Sequence, residues 1–309
     1  MSLKGTNLIK WVDNMRGKQS LIIIAGAAGI LITWWVFMLF NPAARESIIF
    51  FPLNEKASYQ SADTLLTLNE KKVNDLYEVN WKITSVLDQD AYLRQDIGFL
   101  FFNGRLTSKM SEWEQNTDRI VEEDTAAGKE SSLLQAVSFH YSEIHGDEEN
   151  YTSAQSMSED QLYVIDSNFS PLSSFRKPDS AAEKEWKMIL DKVANQQLQY
   201  NWENAMKKYN ISGKDYLQIP LIRLPEYNSD PPRGFTTLQW NELVGNLWEG
   251  LYKNYFLGIK TDTGKVVDPI DSLMPLILIR IDTGDLLVLL TTKEGEYVLL
   301  QQKIPVPLP

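Results

Sequence analysis

The chain of 309 residues has no cysteine and only two histidines. Without thiols there is no disulfide, no thiolate metal site, no cysteine nucleophile and no cysteine to carry a lipid. A zinc site would have to use both His140 and His145. Five positions apart on a strand, they point to opposite faces and cannot share an ion. No glycine-rich loop joins a strand to a helix, since Gly26 and Gly29 fall inside an apolar run, so no nucleotide is expected and nothing calls for any other cofactor. Serine is plentiful, but neither G-x-S-x-G nor S-x-x-K occurs where a strand would meet a helix. Runs of Lys and Arg are missing too, which argues against nucleic acid as a partner.

Charge is missing altogether from one stretch. Residues 21–40 read LIIIAGAAGILITWWVFMLF. At about 1.5 Å of rise per residue, a helix of that length crosses the roughly 30 Å hydrocarbon layer of a bilayer. The run is longer than a signal-peptide core and ends in aromatic bulk, not in a small-x-small cleavage site, so it reads as an uncleaved anchor. Trp34, Trp35, Phe37 and Phe40 suit the outer interface. Ala25 and Gly29, four apart, form a small-residue face through which two such helices would meet as a homodimer.

The flanks orient this helix. Lys4, Lys10, Arg16 and Lys18 face only Asp13 before it, which keeps that end cytoplasmic by the excess of basic residues. Taking these from the 30 basic and 41 acidic residues of the chain leaves 26 and 40, a net charge of −14 on the body beyond the membrane. The expected organisation is a cytoplasmic tail (1–20), a transmembrane helix (21–40), a mainly β subdomain (41–170) and an α+β subdomain (171–309). The fold class expected for the body is α+β: antiparallel sheet packed by amphipathic helices. Disulfide-free extracytoplasmic domains and this composition lean towards a bacterial envelope.

Within the body, Ile48-Ile49-Phe50-Phe51-Pro52 is too apolar for a free linker and should pack on the domain or lie in the interface. Tyr77, Val79, Trp81 and Ile83 alternate with polar residues, a half-buried strand. Residues 97–102 form a second strand, ended by the hairpin dipeptide Asn103-Gly104. Leu106, Met110 and Trp113 allow a helix or a continued hairpin, and residues 118–132 read as a loop or loose helix. In the next strand Val137, Phe139 and Tyr141 share one face and Ser138, His140 and Ser142 the other. It returns after Gly146 through residues 151–157, with a separate short run at 162–165. Pro171 and Pro178 mark a boundary within 167–180.

The second half opens on a helix with capping-box residues Ser180 and Glu183 and an apolar stripe of Trp186, Ile189, Leu190, Val193, Leu198, Trp202, Met206 and Tyr209. An edge strand with Pro220 is expected over 216–224. A second helix after Thr236 carries Trp240, Leu243, Val244, Leu247, Trp248, Leu251, Tyr252, Tyr255 and Phe256 at i, i+3, i+4, i+7 spacing, stopped by Gly258. Three strands, 276–281, 286–292 and 297–303, close the body, the first two apolar on both faces and so central. The proline-rich tail after them cannot extend a ladder.

The one acid–base constellation is Tyr141, Glu143 and His145 on one strand face, where a carboxylate beside an imidazole tunes proton transfer. The same pattern describes polar residues at the end of a strand. Acidic clusters at 122–124 and 147–149 lack the ligand alternation and glycine turn of a calcium loop. No catalytic motif is visible. The expected function is that of a membrane-anchored, non-enzymatic interaction, assembly or regulatory protein of the cell envelope, with the lipid bilayer and other membrane or envelope proteins as partners. Two alternatives stay open: an extracytoplasmic ligand-binding sensor, which needs a concave pocket, and an envelope hydrolase using Glu143 and His145, which needs further acids in a cleft.

Overall fold

A computed structural model describes residues 51–303, apart from 55, 70–71, 147–149 and 281. The expected membrane helix with Ala25 and Gly29, the second acidic cluster and the proline-rich tail lie outside the described residues. Among the described residues no helix is long and apolar enough to cross a membrane.

The body is mostly antiparallel sheet with a few helices. Its strands are β1 (Tyr59–Leu68), β2 (Tyr77–Phe102), β3 (Arg105–Gly128), β4 (Ser132–His145), β5 (Tyr151–Ser167), β6 (Ser170–Phe175), β7 (Leu217–Pro220), a small pair β8 (Ile259–Lys260) and β9 (Val266–Val267), then β10 (Leu273–Arg280), β11 (Asp285–Thr291) and β12 (Tyr297–Lys303). Ten of them form one sheet in the order β12-β11-β10-β3-β2-β4-β5-β6, with β1 also on β2 and β7 also on β10. Strands from both sides of residue 170 therefore share it, and β6 lies inside the stretch expected as a boundary.

The hairpin of β2 and β3 sets the layering. Asn103 and Gly104 turn with φ of 49° and 81°, the positive values that a tight hairpin demands and that Asn and Gly tolerate. From there residues 91–102 pair with 105–117, the register slips between Val86 and Ala91, and residues 77–86 pair with 119–128. At the slip the ribbon doubles over, so Tyr77, Val79, Trp81 and Ile83 press onto Leu100, Leu134, Ala136, Leu162 and Val164. Gly98 permits the approach: a β-carbon there would lie 2.5 Å from Trp81 Cζ2.

Of the two readings open for residues 105–113, the continued hairpin is the one formed, and the stretch expected as a loop or loose helix over 118–132 is instead strand as far as Gly128. Its acidic character comes from its outer face, while Ile120 and Glu122 turn inward. The run at 162–165 likewise continues β5 and is not a separate strand.

The opposite face of the central strands carries the larger core. Helix α1 (Ala181–Lys208) starts on the capping box of Ser180 and Glu183. Helix α2 (Thr237–Leu251) starts on that of Thr236 and Gln239, and ends in a π turn over Tyr252–Phe256 before Gly258 at φ 130°. Ile97, Phe99, Phe101, Val137, Phe139 and Tyr141 meet Trp240, Leu247, Trp248 and Tyr255 of this helix and the buried strands β10 and β11. Trp248 stacks between Phe139 and Phe99, centroids 5.0 and 5.8 Å away, so the aromatic stripe of α2 is core. That of α1 is core only in part: Leu190, Leu198 and Trp202 are buried, while Ile189 and Val193 face solvent. The strand expected over 216–224 is shorter, because Pro220 removes a donor and residues 221–227 coil into a 3-10 helix.

Candidate functional site

β4 separates the two histidines as its alternation requires. His140 points between the layers and is fully buried, whereas the side chain of His145 is 31% exposed at the strand's end.

Around His140 lies a buried polar network. Nδ1 is 2.8 Å from Asp96 Oδ2, and Nε2 is 2.8 Å from Ser158 Oγ. Ser158 Oγ is 2.6 Å from Thr64 Oγ1, which donates to Ser138 Oγ at 2.6 Å. Beside it Arg94 donates to Ser85 Oγ at 2.5 Å and to the Asp118 carbonyl, and its guanidinium lies 5.3 Å from the ring centre of Tyr59. Tyr59 Oη is 2.7 Å from Ser142 Oγ; burial foremost, then the Asp96 charge, holds its hydroxyl above the usual tyrosine range. Across the doubled ribbon Glu122, whose Oε1 accepts from the Glu112 amide, is raised to about 8 by burial, with Asp96 and Glu112 adding to the shift.

Asp96, His140 and Ser158 have the order and spacing of an acid–imidazole–hydroxyl triad, but all three are buried. Ser158 Oγ is also held by Thr64, so it is a link in an interior chain of hydrogen bonds and not a hydroxyl presented to a substrate. The line satisfies interior polar groups in a row, which fixes β1, β2, β4 and β5 in register. Neither His140 nor Ser158 lines the grooves described below.

The expected cluster comes together only in part. Tyr141, Glu143 and His145 do share a face, but Tyr141 is 1% exposed in the helix-facing core, its hydroxyl pushed above the usual range by burial and then by Glu143. Glu143 and His145 bond to each other at the exposed end. The imidazole stacks on Tyr92 at 3.8 Å between centroids and meets Tyr151 edge-on at 4.6 Å, while Tyr151 lies 5.6 Å from Phe51. Among the described residues no group of three or more His, Asp or Glu is placed to hold a metal ion. At 122–124, Glu122 turns inward, Glu123 pairs with Lys82, and Asp124 accepts from Ser108 at 2.8 Å.

The start of the described chain is tied to the same end of β5. Leu53 bridges Ser153 in parallel. The Ser153 amide donates to the Pro52 carbonyl at 2.9 Å, Ser153 Oγ donates to the Phe51 carbonyl at 2.7 Å, and the Asn54 amide donates to the Ser153 carbonyl at 2.8 Å. Residues 51–54 thus pack on the domain; residues 48–50 of the apolar stretch lie outside the described residues. Two grooves flank it, both touching Leu53, Gln155 and Asn241. One of about 280 Å³ reaches Phe51, Phe235 and Glu242, and one of about 710 Å³ reaches Ser58, Ser156, Asn228 and Leu238. Among the described residues the larger is lined without a charged side chain.

Sequence reasoning missed the network because Asp96 and Ser158 lie 44 and 18 positions from His140. The one available signal was the polar alternation of Ser138, His140 and Ser142, which in a strand buried on both sides must find partners. No family model, curated protein or solved structure matches the chain.

Proposed function

We propose that this protein is a membrane-anchored, extracytoplasmic interaction or assembly subunit of the cell envelope, held by residues 21–40 with its N-terminus cytoplasmic and its acidic body outside. The observation that carries this reading is the clamp at Ser153. Phe51 to Asn54, the described chain that follows the apolar run by ten residues, is bound to β5 by three backbone-directed hydrogen bonds, so the chain enters the body at one fixed place on its surface. A fixed entry point suits a subunit that presents a surface to a partner. The engagement of Glu143 with His145, and the use of Ser158 as a link in a buried chain, support binding over hydrolysis.

A second reading, a sensor for an uncharged ligand, is favoured by the groove of about 710 Å³ beside the clamp, whose described lining carries no charge. Photo-crosslinking in living cells separates the two. A photoreactive residue at Leu238, which is 53% exposed in that groove, forms one discrete protein adduct if the body is a subunit. The subunit reading falls if neither that position nor a survey of the outer surface yields an adduct.

A further inference from the structure

The rings around His145 form an exposed aromatic end. Tyr92 and Tyr151 are 45% and 40% exposed although each is packed against the imidazole, and Phe51 continues the cluster. A hydrogen-bonded imidazole and two phenols with apolar bodies and polar tips are the side chains that favour a headgroup layer, where one part of the ring is dry and the other wet. The chain limits how far this cluster can lie from the apolar run. Phe51 follows residue 40 by eleven positions, at most roughly 40 Å of extended chain, and Ile48-Ile49-Phe50 in that span carry no charge. Asp88 and Asp90 flank Tyr92 and are exposed, which disfavours anionic headgroups.

We propose that the cluster of Phe51, Tyr92, His145 and Tyr151 is a lipid-contacting surface that seats this end of the body in the headgroup layer of a bilayer without net charge. This rests on the anchored reading above. The far end of β5 then stands in water: its 17 residues span roughly 55 Å at about 3.3 Å each. Just beyond that end Phe169 is 99% exposed.

The absence of native cysteine allows a direct test with single spin labels on the full chain in phosphatidylcholine vesicles. Tyr151→Cys and Gln89→Cys report on the cluster, the second leaving every ring in place; Phe169→Cys reports on the far end and Trp35→Cys on the anchor. The expected result is relaxation by a water-soluble nickel complex about threefold weaker at 89 and 151 than at 169, with the label at 35 reached by oxygen and not by nickel. Equal nickel access at 89, 151 and 169, with 35 still protected, overturns the lipid contact and leaves the anchor standing; it is also the result if the cluster meets a protein. Nickel access at 35 overturns the anchored reading itself.

Discussion

Glu122 gives the most quantitative prediction. Its carboxyl is 6% exposed, faces Asp96 across the doubled ribbon, and is raised from the ordinary 4.5 to about 8, with burial as the main cause. Between those values the folded chain keeps a proton that the unfolded chain has released. Stability therefore falls as pH rises through this window, by at most about 1.4 kcal/mol per pH unit, and levels off above pH 8. The total is on the order of 5 kcal/mol. Glu122→Gln retains an oxygen to accept from the Glu112 amide and carries no ionisable proton, so it removes this slope. Urea unfolding followed by tryptophan fluorescence, at several pH values from about 5 to 9, should show the wild type losing stability and the variant staying nearly level in that contribution. The two should agree near pH 5 and differ most near pH 9. Parallel curves across the range would refute the placement of Glu122 as a buried, proton-holding acid.

Other substitutions probe the remaining layers. Gly98→Ala drives a methyl into Trp81 and should cost about 2–3 kcal/mol in denaturant unfolding, since the contact is ring against backbone and has little room to relax. Trp248→Ala empties the space between Phe99 and Phe139 and should cost about 3–5 kcal/mol by the same measurement. His140→Ala removes the hydrogen-bond partner of buried Asp96 and should cost about 3–5 kcal/mol. If it leaves stability unchanged and abolishes a cellular activity, the network is functional and not structural. Ser153→Ala deletes one bond of the clamp, worth about 1 kcal/mol, and should speed tryptic cleavage after Lys56 about fivefold.

Elements whose signals are local were legible in the chain. The i, i+3, i+4 stripe of α2, the capping box at Ser180, and the turn at Asn103-Gly104 each state their geometry within a few residues. The all-apolar strands β10 and β11 likewise told of burial on both faces. What escaped depends on contacts far apart in sequence. Residues 118–128 look like a solvated loop because their outward side chains are acidic, and only the doubling of β2 and β3 reveals that Ile120 and Glu122 face inward. The exposed part of the α1 stripe was missed for the same reason: periodicity shows which residues share a face, not how wide a surface is there to cover them. Tyr141, Glu143 and His145 were correctly set on one face, but only packing distinguishes the buried phenol from the paired ends beside Tyr92 and Tyr151.

The central claim, an anchored chain with its body outside, is open to one direct measurement because no native thiol interferes. Intact cells producing Ser2→Cys or Phe169→Cys are treated with a membrane-impermeant maleimide, before and after lysis. The expected outcome is that residue 169 is modified in intact cells and residue 2 only after lysis. Modification of residue 169 only after lysis would contradict the claim.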